Sequence, residues 1–156
     1  MRVLLIGSGA REHAMAWKIS QSPLLSKIYI APGNGGTSRL GQNIPIDDHD
    51  IDGLVAFAKE EAIDLVVVGP EAPLSEGLVD RLHSLNILAF GPTEKAARLE
   101  SSKSFAKSVM IDNEIPTARY KISHDKDSAT EAIANFPFPV VIKADGLAAG
   151  KGVYIC

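Results

Sequence analysis

Cysteine is nearly absent from this 156-residue chain: a single one, Cys156, stands at the last position. One cysteine excludes an intrachain disulfide framework and fits a reducing compartment. Its terminal place also makes it a poor candidate for a functional thiol. Positive charge is not in excess, with 16 Lys and Arg against 19 Asp and Glu and a net charge of -3. Bulk nucleic-acid binding usually shows a basic footprint, so a nucleic-acid partner is not expected. No apolar run approaches the roughly 20 residues that span a bilayer, so no membrane partner is expected either. Met1-Arg2 leads straight into a short apolar run and glycines, unlike a signal peptide. Internal repeats and low-complexity tracts are also lacking. What remains is ordinary for a globular protein of the cytoplasm: 46% hydrophobic and 22% charged residues. The length suits one domain, or one domain and part of another.

The first hundred residues alternate short apolar runs with helical patterns. Val3 to Ile6 reads as a strand ending in Gly7-Ser8-Gly9, and Arg11 to Gln21 as a helix. Lys27 to Ala31 is a second strand, and the stretch from Pro32 to Pro45 a long loop. Asp50 or Asp52 caps a helix over Gly53 to Glu61. Asp64 to Val68 has no polar alternation, which suits a parallel strand covered on both faces. Gly69 to Pro73 reads as a loop, Ser75 as the cap of a helix to Ser84, and Asn86 to Phe90 as a fourth strand. Short βαβ connections imply a right-handed, mostly parallel, doubly wound α/β sheet. The character changes near residue 100. Short helices over Glu94 to Leu99 and Lys103 to Asn113 precede strands at Ala118 to Ile122 and Phe138 to Lys143, with a helix at Ser128 to Asn135 between them. The expected domains are therefore 1–100 and 101–156, the second α+β and unfinished.

Chemistry concentrates in Pro139 to Val153, where Lys143 ends an apolar run and Lys151 sits between Gly150 and Gly152. A charge in such a run is costly to bury without a partner, so Lys143 is expected in a wet or anion-filled cleft. Gly146, Gly150 and Gly152 permit turns and close ligand approach. Successive backbone N–H groups there form an anion-binding concavity, to which Lys151 adds a point charge. The segment is not a Walker P-loop. Three residues rather than four separate its glycines, no Ser or Thr follows the lysine, and strand signals resume at Val153. A strand–glycine loop–strand flap over a polyphosphate is the chemical reading; a glycine-rich hairpin with solvated lysines is the plain one.

Gly7, Gly9 and the following helix form a second anion-binding turn. Glu12 stands where a dinucleotide fingerprint wants glycine, and the second strand runs into Ala31-Pro32 instead of an acidic residue. A small phosphorylated ligand fits better than a nicotinamide. Asn34, Gly35, Gly36 and Glu71 follow neighbouring strands, at the sheet edge where α/β ligands bind. Glu71 can accept hydrogen bonds from sugar hydroxyls or an amine, or be a plain surface carboxylate. Asp47, Asp48, His49 and Asp50 lack metal-ligand spacing and suit helix capping; no metal ligand is assigned. Lys103 in a first helical turn opposes the helix dipole unless an anion lies nearby.

Together these segments resemble the glycinamide ribonucleotide synthetases (phosphoribosylamine–glycine ligases) of the ATP-grasp superfamily. The residues that carry the resemblance are Val3 to Ala14, Pro32 to Thr37, Val68 to Leu74, Ser102 to Phe105 and Val141 to Val153, in the family's order. The resemblance implies a pre-ATP-grasp, Rossmann-like domain followed by the start of an ATP-grasp domain. It implies a ligase of purine biosynthesis in which ATP phosphorylates glycine and 5-phosphoribosylamine attacks the glycyl phosphate, with Mg2+ or Mn2+ bridging phosphates. Carried over by position, Gly7, Gly9, Arg11, Glu12, Asn34, Gly35, Gly36 and Glu71 line the phosphoribosylamine site. Lys103 and Lys143 hold ATP phosphates, and Gly150, Lys151 and Gly152 form a mobile cover.

The family's proteins are much longer. The adenine clasp, the metal ligands, the glycine site and the catalytic residues are expected outside this stretch, which reads as an N-terminal portion inactive by itself. Its strands at 118–122 and 140–143 are expected to lack neighbours and to leave edges open to association. Another ATP-grasp ligase, biotin-carboxylase-like or an aminoimidazole-ribonucleotide carboxylase, and a non-catalytic phosphate-binding module are the alternatives.

Overall fold

The computed structural model describes residues 1–148 and 150–156, which form two units, Met1–Ala97 and Arg98–Cys156. The first unit is built on strand β1, Arg2–Gly7. Successive side chains on a strand point to opposite faces. Leu4 and Ile6 accordingly join one apolar cluster, and Val3 and Leu5 join another. Around β1 lie β2 (Lys27–Pro32), β3 (Gln42–Asn43), β4 (Leu65–Val68) and β5 (Leu88–Phe90), all parallel, in the order β3-β2-β1-β4-β5.

Helix α1 (Ala10–Ser20) brings Ala16, Met15 and Ile19 to the face of Val3, Leu5, Ile28, Ile30 and Val67. Helices α2 (Ile51–Glu60) and α4 (Leu78–Ser84) bring Leu54, Val55, Ala58, Leu78, Val79 and Leu82 to the face of Leu4, Ile6, Val66 and Val68. The sheet is thus covered on both sides, which explains the unbroken apolar run in β4. Asp50 caps α2 by accepting the N–H of Gly53 at 2.9 Å.

Several local expectations are corrected. The stretch from Pro32 to Pro45 is not all loop. It holds a 3-10 turn at Thr37–Arg39, and β3 pairs Gln42 and Asn43 with Tyr29 and Ile30. Gly69 to Pro73 is only partly loop, because helix α3 (Glu71–Ser75) begins at Glu71. Proline is tolerated in the first helical turn, where its missing N–H would have no intrahelical acceptor. Ser75 does not cap the next helix. Its hydroxyl donates back to Ala72 O at 2.8 Å, and Gly77, in the left-handed region at φ 80°, separates α3 from α4.

Helix α5 (Glu94–Ser101) runs across the division between the units. The second unit continues with α6 (Lys103–Asp112), α7 (Lys126–Ala134) and the antiparallel hairpin β6 (Val141–Lys143) and β7 (Val153–Ile155). Ala118 to Ile122 is not a strand, since no partner supplies a ladder. That segment is held instead by Lys107, whose Nζ donates to Ala118 O at 2.9 Å and lies over the Tyr120 ring. The other expected open edge, Val140 to Lys143, does have a neighbour: β6 pairs with β7, from Val141 opposite Ile155 to Lys143 opposite Val153. The glycine turn folds the chain back on itself and covers one edge of β6; in this two-stranded sheet no third strand pairs with the other edge among the described residues. Helix α7 starts earlier than the expected Ser128 because Asp125 caps it, accepting the Ser128 N–H at 2.8 Å. Among the described residues from Arg98 onward none is buried, so all the buried apolar side chains belong to the first unit. No helix among the described residues is long and apolar enough to cross a membrane.

Candidate functional site

In the first unit the ends of β1, β2 and β4 bring together Gly7 to Arg11, Asn34 to Gly36, and Glu71. Their side chains are held by bonds that the sequence did not announce. Glu12 is 4% exposed although it lies one residue from the exposed Arg11. Its Oε2 accepts the Gly9 N–H at 2.7 Å and its Oε1 accepts from Arg11 Nε at 3.1 Å. A Cβ at Gly7, Gly9 or Gly69 would come within 2.6, 2.8 or 2.3 Å of the Glu12 side chain. Three glycines therefore make room for one carboxylate beneath the turn. The carboxylate meets the α1 N-terminus from beneath, at the Gly9 N–H, where the helix dipole favours it. The first-turn N–H groups of Ala10 and Arg11 still have no intrahelical acceptor.

Asn34 is a brace as well. Its Nδ2 donates to Ser8 O at 2.8 Å, and its Oδ1 accepts from the N–H groups of Gly36 (2.7 Å) and Thr37 (3.0 Å). The fully buried Thr37 accepts the Asn34 N–H at 2.7 Å and donates to Asn43 Oδ1 at 2.8 Å. The side chain of Asn34 thus serves the loops rather than the space above them. Gly35 is the open point of this loop, with nothing within 4 Å of a Cβ added there, while Gly36 lies against the His13 ring. Thr37 closes the Pro32 to Thr37 segment but was given no role from the sequence, and Asn43 stands in no recognisable motif.

Arg11 and Glu71 form the exposed rim. Arg11 Nη1 lies 3.0 Å from Glu71 Oε1, with side chains 56% and 44% exposed. The hydrogen bond from Arg11 is the main cause holding the Glu71 carboxyl below its ordinary value. The same two glutamates, Glu71 first, hold the Arg11 guanidinium above its ordinary value. A persistent cation and a persistent anion thus stand side by side.

In the second unit the anion expected beside Lys103 is supplied by the chain. Asp145 Oδ1 accepts the backbone N–H of Lys103 at 2.7 Å, of Gly146 at 3.0 Å and of Ser104 at 3.3 Å. Its Oδ2 takes the Ser104 hydroxyl and lies 3.3 Å from that of Ser102, the α6 cap. The Ser104 hydroxyl first, then these backbone bonds, lower the Asp145 carboxyl to about 2. Lys103 Nζ donates to Gly146 O at 2.7 Å, so the start of α6 and the flap base are joined twice. Lys143, two residues before Asp145, is exposed, as is Lys151. Gly146, Gly150 and Gly152 all take left-handed φ values, 88°, 78° and 73°, as the expected turn requires. The flap closes through Ala144 N–H to Gly152 O at 2.8 Å and Lys151 N–H to Ala148 O at 2.7 Å. Ala149 lies outside the described residues. The Asp-Gly pair after β6 was the one signal that could have pointed to Asp145.

The Asp47 to Asp50 cluster behaves as helix-start chemistry, with Asp47 Oδ1 accepting the His49 N–H at 2.9 Å and Asp50 capping α2. His49 Nδ1 pairs with Glu76 at 2.7 Å. Among the described residues no group of three or more His, Cys, Asp or Glu is arranged to hold a metal ion.

Comparison with known proteins gives concordant results for the two parts of the chain. The family model described as "Phosphoribosylglycinamide synthetase, N domain" matches residues 1–100, and that described as "Phosphoribosylglycinamide synthetase, ATP-grasp (A) domain" matches residues 101–156. The chain is 51% identical to the phosphoribosylamine–glycine ligase of Xanthomonas campestris pv. campestris over 99% of its own length and 36% of that protein's. The crystal structure of the corresponding Thermotoga maritima ligase superposes with a TM-score of 0.79 at 37% identity, covering 99% of this chain and 36% of that one. An N5-carboxyaminoimidazole ribonucleotide synthetase from Thermus thermophilus shares the fold with a TM-score of 0.75 at 18% identity, over 98% of this chain and 40% of that one. The chain therefore spans little more than a third of the length of the curated relatives it matches.

Proposed function

The chain belongs to the phosphoribosylglycinamide synthetase family, and from that premise we propose that it supplies the amine-substrate domain and one side of the ATP site of a ligase. That ligase, a cytoplasmic enzyme of purine biosynthesis, joins glycine to 5-phosphoribosylamine through a glycyl phosphate, releasing ADP and phosphate. Residues 1–100 form the substrate-binding domain and 101–156 the beginning of the ATP-grasp domain.

In this reading Arg11 and the first-turn N–H groups of α1 receive the phosphate of phosphoribosylamine. Ionised Glu71 would repel that phosphate, so it receives the amine or a ribose hydroxyl. Glu12 and Asn34 bind no substrate directly; they fix the loops of Gly7, Gly9, Gly35 and Gly36 around it. Lys103 and Lys143 neutralise charge on the ATP phosphates, and Gly150, Lys151 and Gly152 cover them. Most of the rate gain in such chemistry comes from positioning and charge neutralisation. The described residues offer no fitting set of ligands for Mg2+ or Mn2+, so no step is assigned to a metal here.

The observation that carries the reading is the double tie between α6 and the flap base, Asp145 to the Lys103 N–H and Lys103 Nζ to Gly146 O. It brings the two lysines of the motif to one end of a glycine hairpin. Calorimetric titration of the intact gene product with ATP, glycine and a phosphoribosylamine analogue tests it. Binding of both ATP and the analogue is expected. Binding of ATP without the analogue would move the assignment to another ATP-grasp ligase, and binding of neither would end the site reading.

A further inference from the structure

Asp145 belongs to no expected site, yet it is the most heavily hydrogen-bonded carboxylate of its unit. It takes backbone N–H groups on both sides of a long sequence gap, Lys103 and Ser104 from α6 and Gly146 from the flap. Two serine hydroxyls complete the arrangement. A carboxylate accepting several backbone N–H groups is strongly held in its charged form. It also supplies negative charge at the start of α6, where the dipole favours it and where Lys103 would otherwise stand unbalanced.

We infer that Asp145 is a positioning residue for the nucleotide phosphates: it locks the base of the glycine flap to the N-terminus of α6 and so sets the separation of Lys103 and Lys143. The role presupposes the phosphate reading given above. Lys143 is only two residues upstream of Asp145, at the end of β6, and Lys103 is bonded through its own N–H. Asp145 therefore ties the segment that carries Lys103 to the end of the hairpin strand that carries Lys143. Lys103 Nζ meanwhile rests on Gly146 O, a neutral acceptor that an anionic phosphate can displace. Gly146, Gly150 and Gly152, at and beyond the lock, take the left-handed backbone that a turn close to a phosphate needs. Without Asp145 the two segments are joined only by the Lys103 Nζ bond to Gly146 O, which an arriving phosphate displaces.

The test compares Asp145→Ala, Asp145→Asn and Lys143→Ala in the intact gene product, with KM measured separately for ATP, glycine and phosphoribosylamine. Amide hydrogen exchange at Lys103, Ser104 and Gly146, whose N–H groups Asp145 accepts, accompanies the kinetics. Asp145→Ala is expected to raise the KM for ATP about tenfold to a hundredfold, the usual cost of removing a partner that orients a binding group, and to unprotect those amides. The KM for phosphoribosylamine stays within about twofold, because its site lies in the other unit. Asp145→Asn keeps one acceptor oxygen without the charge and recovers part of the ATP affinity. An unchanged ATP KM in Asp145→Ala beside a raised one in Lys143→Ala overturns the positioning role alone. An unchanged ATP KM in both variants overturns the phosphate reading and the role with it. Equal rises for all three substrates show a general loss of structure and overturn the role as well.

Discussion

Glu12 Oε2 accepts the backbone N–H of Gly9 at 2.7 Å, so the carboxylate next to the candidate phosphate-binding arginine faces the turn and not the ligand. The same side chain lies against Gly69 after β4. One carboxylate thereby fixes two loops at the edge of the sheet.

That arrangement predicts a non-additive pair. Gly69→Ala would put a Cβ 2.3 Å from Glu12 Oε1, and Gly69 does not take a left-handed φ, so the clash is the main cost. Gly69→Ala is expected to destabilise by about 1–3 kcal/mol in the native background, as overpacking typically does. In a Glu12→Ala background the same change should cost at least about 1 kcal/mol less, because the space is vacated. Urea unfolding of the four proteins measures the coupling; simple additivity would refute the brace.

Tyr29 gives a second prediction. It is 2% exposed, stacks edge-on to Phe57 at 5.1 Å and joins Arg2 and Glu61 through its hydroxyl. Tyr29→Phe keeps the ring and loses the bonds, and should cost about 1 kcal/mol. Tyr29→Ala empties the site and should cost about 3–5 kcal/mol. Thermal unfolding distinguishes the two, and equal losses would mean that the hydroxyl cluster, not the ring, dominates.

His49 supplies the pH dependence. Its imidazolium is favoured by the hydrogen bond to Glu76 first and by the charge of Glu76 second, which raises it above the ordinary 6.5. The folded state therefore holds that proton more tightly than the unfolded chain. The resulting stabilisation is fully present below about pH 6.5 and fades as pH rises through the folded value. The pair is exposed, so its effect is small and salt-sensitive. An NMR titration should place the His49 midpoint above 6.5, and Glu76→Gln should lower it. A midpoint unmoved by that change would discount the pair.

Much of the fold was legible in the sequence. The apolar runs of β1 and β4 and the short connections imply a mostly parallel sheet, covered on both faces at β4, and the structure has one. The boundaries that went astray depend on distant partners. Ala118 to Ile122 has a strand's composition, but a strand needs a neighbour with which to share a ladder. β3 has only two residues and little pattern of its own, yet it adds to the sheet because β2 offers an open edge.

By itself the sequence determined where backbone must turn and where charge must meet solvent, since glycine spacing and apolar periodicity are local properties. It marked Gly7, Gly9, Gly150 and Gly152, and Lys103 and Lys143, as features of two anion-binding turns. Only the tertiary structure decided what occupies the helix start at each. Glu12 sits under the first, and Asp145 holds the second from 42 residues away in sequence. A carboxylate reads the same in sequence whether it is solvated or buried against backbone N–H groups. Its partner is chosen by chain path, because hydrogen bonds reach about 3 Å and nothing in local pattern records which segments come that close.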